Sequence, residues 1–145
     1  MKIIHAANEL NASGKKSCLA IGVFDGVHLG HQQIIRQTVA DARSHDAVAL
    51  VVTFDKHPNA IVAPDRVPPN IYSRSQKLRV IEALGADALL EIPFDKTFSE
   101  KSGEEFIREL ASDLASGGAR LGEPQHSPNC RKLSSTSCAT SARRR

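Results

Sequence analysis

Residues 18–35, Cys18-Leu19-Ala20-Ile21-Gly22-Val23-Phe24-Asp25-Gly26-Val27-His28-Leu29-Gly30-His31-Gln32-Gln33-Ile34-Ile35, change character at their middle. Cys18 to Phe24 is a short apolar run that stops at glycine-bounded turn chemistry, the pattern of a buried parallel strand. After Gly30, the residues Ile34, Ile35, Val39 and Ala42 fall near one helical face with Gln, Arg and Asp elsewhere, which predicts an amphipathic helix. Ala47 to Phe54, AVALVVTF, is apolar and β-branched, and Asp55-Lys56-His57-Pro58-Asn59 ends it with residues that favour a loop. Strand, glycine-rich turn, helix and strand together make a βαβ unit.

Working outward, a proline-rich loop from Pro64 to Pro69 precedes a helix predicted over Ser73 to Leu84, where Leu78, Ile81 and Leu84 keep helical spacing and Gly85 is placed to end it. Ala88 to Phe94 reads as a third strand. Ser102 and Glu105 form a capping-box pattern ahead of the apolar face of Phe106, Ile107 and Leu110, so a third helix follows. The alternation implies a three-layer α/β fold, with a mostly parallel sheet, helices on both faces and right-handed crossovers. After Leu114 no apolar alternation or helical stripe continues, so the C-terminal strands of such a sheet are expected to be incomplete.

Composition agrees with this division. In a chain of 145 residues, 41% hydrophobic is enough for one core, and with 4% aromatic and no Trp that core must rest on Val, Ile, Leu and Ala. The net charge of +3 hides an asymmetry: residues 115–145 hold six Lys/Arg against one acid, a charge of +5, and the remainder holds 13 against 15, a charge of −2. Residues 1–114 are therefore read as the folded core and 115–145 as a basic, low-complexity and disordered tail. No run of 18 apolar residues exists and Met1 to His5 is too short for a signal peptide, so no membrane association and a cytoplasmic location are expected. Cys18, Cys130 and Cys138 are odd in number and lack metal-ligand spacing, which argues against a disulfide framework.

The chemistry concentrates in the first turn. In an open parallel sheet, ligands bind at the carboxyl ends of the strands, and the first strand-to-helix turn is the usual phosphate site. Gly22 and Gly26 allow backbone to approach a ligand, and Gly30 permits a tight entry into the helix. His28 and His31, three apart at a helix start, can point at the same phosphate, aided by the free N–H groups and partial positive charge of the helix N-terminus. Phosphate-ester exchange there needs positioning and charge stabilisation, because an attacking phosphate is already a nucleophile. Two imidazoles can donate to the non-bridging oxygens of an α-phosphate, with magnesium expected to neutralise the rest.

Blander readings compete. A His-x-x-His pair is often two polar residues at a helix start with no ligand, but the Phe-Asp-Gly before it, the three glycines and the strand-to-helix setting favour the phosphate site. Asp25 is open between stabilising its turn and touching substrate. Gly14-Lys15-Lys16-Ser17 lacks the upstream glycine of a phosphate-binding P-loop, with Glu9 in its place, and precedes the strand instead of following it. Cys18, His28, His31 and His57 lack paired zinc-ligand spacing, so no protein-held metal is expected. Arg74, Lys77 and Arg79 are read as a solvated helix face in preference to a phosphate clamp.

These residues resemble a known family. GVFDGVHLGHQQII is similar to the adenylyltransferase module of bacterial FAD synthetases, the bifunctional riboflavin kinase/FMN adenylyltransferases, whose Gly-x-Phe-Asp-Gly-x-His-x-Gly-His motif matches at Gly22, Phe24, Asp25, Gly26, His28, Gly30 and His31. Thr53-Phe54-Asp55-Lys56-His57-Pro58 resembles the second signature, Thr-Phe-x-Pro-His-Pro, with Lys56 where proline is usual. The Ser73-x-x-x-Lys77 region and the Ser102 to Phe106 segment also look like their counterparts, so the resemblance covers about residues 15–114.

The resemblance implies a Rossmann-like nucleotidyltransferase fold and a reaction in which the phosphate of FMN attacks the α-phosphorus of ATP to give FAD and pyrophosphate, assisted by Mg²⁺. It implies that His28 and His31 are catalytic, that Gly22, Phe24, Asp25, Gly26, His28, Gly30 and His31 form the ATP site, and that His57 and Asn59 face the flavin. Nothing here matches the later Gly-x-Asp-Phe-x-Phe-Gly segment. Ser134-Ser135-Thr136 imitates the Ser-Ser-Thr-x-Ile-Arg motif without its isoleucine-arginine pair. Residues 115–145 are read as a truncated or frame-shifted end, and neither the riboflavin kinase barrel nor riboflavin phosphorylation is expected of this chain. Two rivals stay open: nucleotidyl transfer to another phosphorylated acceptor, and polyanion binding by the basic tail, against which the absence of aromatic residues for base stacking counts.

Overall fold

The computed structural model describes residues 1–10, 14–63, 65, 69–118 and 120–121. Five strands, β1 (Lys2–Ile4), β2 (Lys16–Ile21), β3 (Val48–Phe54), β4 (Ala88–Ile92) and β5 (Arg120–Leu121), form one sheet in the order β1-β4-β3-β2-β5. Every pairing is parallel, with Leu19 beside Leu50 and Leu50 beside Ala88. The helices are α1 (Leu29–Ser44), α2 (Asn59–Val62), α3 (Arg74–Ala83), α4 (Lys96–Ser99) and α5 (Gly103–Ser116).

The continuous apolar run of β3 explains its central place, since a strand covered on both faces has no use for alternating polar residues. Leu50 and Val52 pack on one face with Ala88, Leu90, Ile4, Leu10, Leu110 and Leu114 beneath α5. Ala49 and Val51 pack on the other with Ala20, Leu89, Ile35, Val39 and Ile81 beneath α1 and α3. Leu50, Val51 and Val52 are fully buried. At about 1.5–3 kcal/mol for each buried aliphatic side chain, this strand contributes more to the core than any cap or surface pair.

Both capping boxes form: Ser73 with Gln76 opens α3, and Ser102 with Glu105 opens α5. Ser102→Ala is expected to cost about 1 kcal/mol, read as a lower urea midpoint at unchanged slope. The structure ends two strands earlier than expected. β2 ends at Ile21, because Phe24 turns to φ 52° and leaves the sheet direction, and β4 ends at Ile92, because Pro93 has no N–H to continue the ladder. Lys15, of the discounted P-loop, pairs with Asp46 at 2.7 Å, and Lys16 already begins β2.

Two segments without a sequence signal are strands. Lys2–Ile4 pairs with β4 at one edge, and Arg120–Leu121 pairs with Lys16 and Ser17 at the other, where the Gly14 amide donates to the Gly118 carbonyl at 2.8 Å. A fifth strand thus follows Leu114, and α5 itself runs to Ser116. The remainder of the expected tail, including Ser134 to Thr136 and the terminal arginines, lies outside the described residues, as does most of the proline-rich loop. Among the described residues no helix is long and apolar enough to cross a membrane.

Candidate active site

The turn from β2 to α1 lies at the carboxyl end of the sheet, and its backbone is unusual. Phe24 at φ 52°, Gly26 at 67° and Val27 at 36° all occupy the left-handed region, which costs a β-branched residue most. Phe24 and Val27 are buried at 1% and 0% exposure, so core packing offsets that strain. Gly22 still donates its amide to the Val52 carbonyl at 3.0 Å, and the chain then turns away. A Cβ on Gly26 would lie 3.0 Å from Ile71, so its small size as well as its φ is used.

His28 caps α1. Its Nδ1 accepts from the His31 amide at 3.4 Å, which places the ring proton on Nε2. The two imidazoles stack, centroids 3.6 Å apart and 23° between planes, and Phe24 stands edge-on to His31 at 5.3 Å. A Cβ on Gly30 would press to 3.3 Å from the His28 ring, so glycine there lets the pair close. The Leu29 and Gly30 amides have no acceptor among the described residues, as expected of a helix start able to receive an anion.

Burial, then the neighbouring His28, pull the pKa of His31 below that of an ordinary imidazole, against an upward pull from Asp25. His31 Nδ1 is buried with no hydrogen-bond partner among the described residues. A positive charge on His31 is therefore disfavoured where the ring stands, buried on one side and stacked on His28 on the other.

Asp25 stabilises more than its own turn. Its carboxylate accepts from the Ile71 amide at 3.0 and 3.2 Å and from the Tyr72 amide at 3.4 Å, tying the segment before α3 to the turn. Beside it opens a pocket whose wall includes Asp25, Asp55, His57, Tyr72, Arg74 and Lys77. His57 thus shares a wall with Asp25, whereas His28 and His31 are not in that wall. Asn59 is not in it either; its amide donates to His57 Nδ1 at 3.1 Å.

α3 carries the residues that periodicity misplaced. Arg74 Nε donates to both oxygens of Glu91, at 2.8 and 3.0 Å, and Nη2 makes a further contact. Lys77 donates to Thr53 Oγ1 at 3.2 Å and to the Phe54 carbonyl at 3.1 Å, and Thr53 in turn donates to the Val23 carbonyl. Of the three cations read as a solvated face, Arg79 is exposed, Lys77 is half-buried, and Arg74 is held by a carboxylate that is only 4% exposed. Glu91, the one charged residue within an otherwise apolar strand, is the sequence signal that points to such a partner.

Hydrogen bonds from Arg74 hold the Glu91 carboxyl below the usual carboxylate range, with burial opposing, and raise the arginine pKa in return. Burial makes the Lys77 ammonium easier to deprotonate. Burial and Asp41 push the Cys18 thiol up, the reverse of a reactive or metal-binding thiolate. No group of three or more His, Cys, Asp and Glu among the described residues could hold a metal ion, so Cys18, His28, His31 and His57 are not assembled as a zinc site.

A protein-family model described as FAD synthetase matches residues 10–124. The bifunctional riboflavin kinase/FMN adenylyltransferase of Escherichia coli (strain K12) is 31% identical over 111 residues, covering 76% of this chain and 36% of that protein. The enzyme of the same description from Bacillus subtilis (strain 168) is 33% identical over 111 residues, covering 74% and 35%. The chain thus spans about a third of the length of the curated relatives it matches. A solved structure titled macrolide-efflux protein from Streptococcus pneumoniae superposes with a TM-score of 0.65 at 23% identity, covering 81% of this chain and 39% of that one, and shares the α/β fold.

Proposed function

This chain belongs to the FAD synthetase family, and on that premise we propose that it transfers AMP from ATP to FMN. An oxygen of the FMN phosphate forms the new bond to the α-phosphorus, the bond from that phosphorus to the bridging oxygen breaks, and pyrophosphate leaves. The observation that carries this reading is the His28–His31 stack at the start of α1, with unused amides at Leu29 and Gly30. In this reading His28 and His31 donate to the α-phosphate as charge builds, while Phe24 and Gly30 hold the rings in place. Gly22, Asp25 and Gly26 shape the turn around the nucleotide, and the loop of His57 and Asn59 faces the flavin.

Mg²⁺ supplies charge neutralisation for such a transfer. ATP also makes the cytoplasm the natural compartment. The second reading, transfer to another phosphorylated acceptor, shares the histidine pair, and titration of FMN separates the two.

The direct test is conversion of FMN and MgATP into FAD and pyrophosphate by the purified chain. Absence of both FAD formation and calorimetric FMN binding would remove the reading. A second expectation follows from the stack. Because His31 is held below the ordinary imidazole pKa by burial and by His28, negative phosphates beside it should raise that pKa. ATP binding near pH 6.5 is therefore expected to take up protons, seen as a binding enthalpy that varies with the ionisation enthalpy of the buffer, and the uptake should vanish in His31→Ala.

A further inference from the structure

Lys77 is a half-buried cation whose surroundings leave it incompletely satisfied. Two of its three ammonium protons go to Thr53 Oγ1 and the Phe54 carbonyl at the carboxyl end of β3. The third has no acceptor, and no carboxylate forms an ion pair with it, among the described residues. The nearby acids are engaged elsewhere: Glu91 with Arg74, Asp25 with the Ile71 and Tyr72 amides, and Asp55 with the Phe94 amide at 2.8 Å. Buried charge is normally paired, and a desolvated charge in a pocket wall is a frequent mark of a ligand site. The pocket opens where parallel sheets bind ligands.

We propose that Lys77 holds the phosphate monoester of the acceptor, an anion that would neutralise the ammonium and accept its third hydrogen bond. This inference rests on the FMN adenylyltransferase reading and adds to it the group that places the attacking nucleophile. The monoester is favoured over the triphosphate because Lys77 shares its wall with His57, while His28 and His31 lie outside that wall. Arg74 does not serve as well, because its Nε and Nη2 are already given to Glu91.

The test compares FMN with riboflavin, which differs by the phosphate alone, together with ATP, by titration calorimetry on the full chain. Variants are Lys77→Met and Lys77→Gln, the latter keeping an N–H donor for the Phe54 carbonyl. The expected result is a roughly 10- to 100-fold loss of FMN affinity with riboflavin and ATP affinities unchanged. A purely structural role would weaken FMN and riboflavin in parallel, and a triphosphate role would weaken ATP; either result overturns the assignment. Wild type that prefers FMN over riboflavin, with that preference intact in whichever variant folds, overturns the Lys77 assignment alone. Wild type that binds neither flavin overturns the adenylyltransferase reading and this inference with it.

Discussion

His28→Ala is expected to lower FAD formation by roughly 10²–10³-fold while leaving the fold in place. His28 is exposed, and its one described structural bond is the 3.4 Å cap from the His31 amide, near the distance limit of a useful hydrogen bond. Its removal should therefore shift the urea midpoint little. His31→Ala should cost a similar factor in rate and more in stability, because its half-buried ring fills space between His28 and the buried Phe24. The rings act as one unit on one phosphate, so the double variant should be scarcely slower than the worse single. Steady-state rates set beside unfolding midpoints decide the matter: folded single variants turning over at the wild-type rate would place the chemistry elsewhere.

Sequence pattern makes the interior of this fold legible and its edges opaque. β3 and α1 are long enough for their periods to show, and the Ser102 box marks the start of α5 in four residues. Lys2–Ile4 and Arg120–Leu121 have three and two residues, too few for any period, and are held by the open edges of β4 and β2. Their placement comes from backbone partners far away in the chain, which local composition does not contain. The early end of β2 has another cause, since the residue that breaks it, Phe24, is apolar and looks like strand until its ring has to enter the core.

The candidate site divides the same way. His28, Gly30 and His31 are contiguous, and their meaning depends on a local turn, so the motif carries them. The polar cluster behind the pocket is assembled from Thr53, Lys77 and Glu91, which the sequence separates by 24 and 14 positions and the parallel sheet brings together. On α3 alone, Arg74, Lys77 and Arg79 are three cations at helical spacing, indistinguishable from a solvated face. Only the partner strand reveals that one is clamped by a buried acid and another is half-buried.

Breaking that clamp from its two ends should give unequal results. Arg74→Met strands the Glu91 carboxylate at 4% exposure and is expected to cost about 2–4 kcal/mol, toward the lower end because water reaches the Arg74 side chain and Lys77 stands nearby. Glu91→Leu removes the buried charge and leaves the arginine head free to hydrate, so it should cost about 1 kcal/mol or less. Adding Glu91→Leu to Arg74→Met should then recover most of the lost stability. The pH dependence follows with a definite sign. The Glu91 pKa is depressed in the folded state, so its contribution is present above the ordinary glutamate value of 4.5 and is lost as pH falls from there through the lower folded value. Wild type should lose stability over that acid window, Arg74→Met should lose less of it, and the double variant none from this group. Urea midpoints across the window measure all three, and equal costs for the two single variants would show that the pair is a solvated contact with no buried charge to protect.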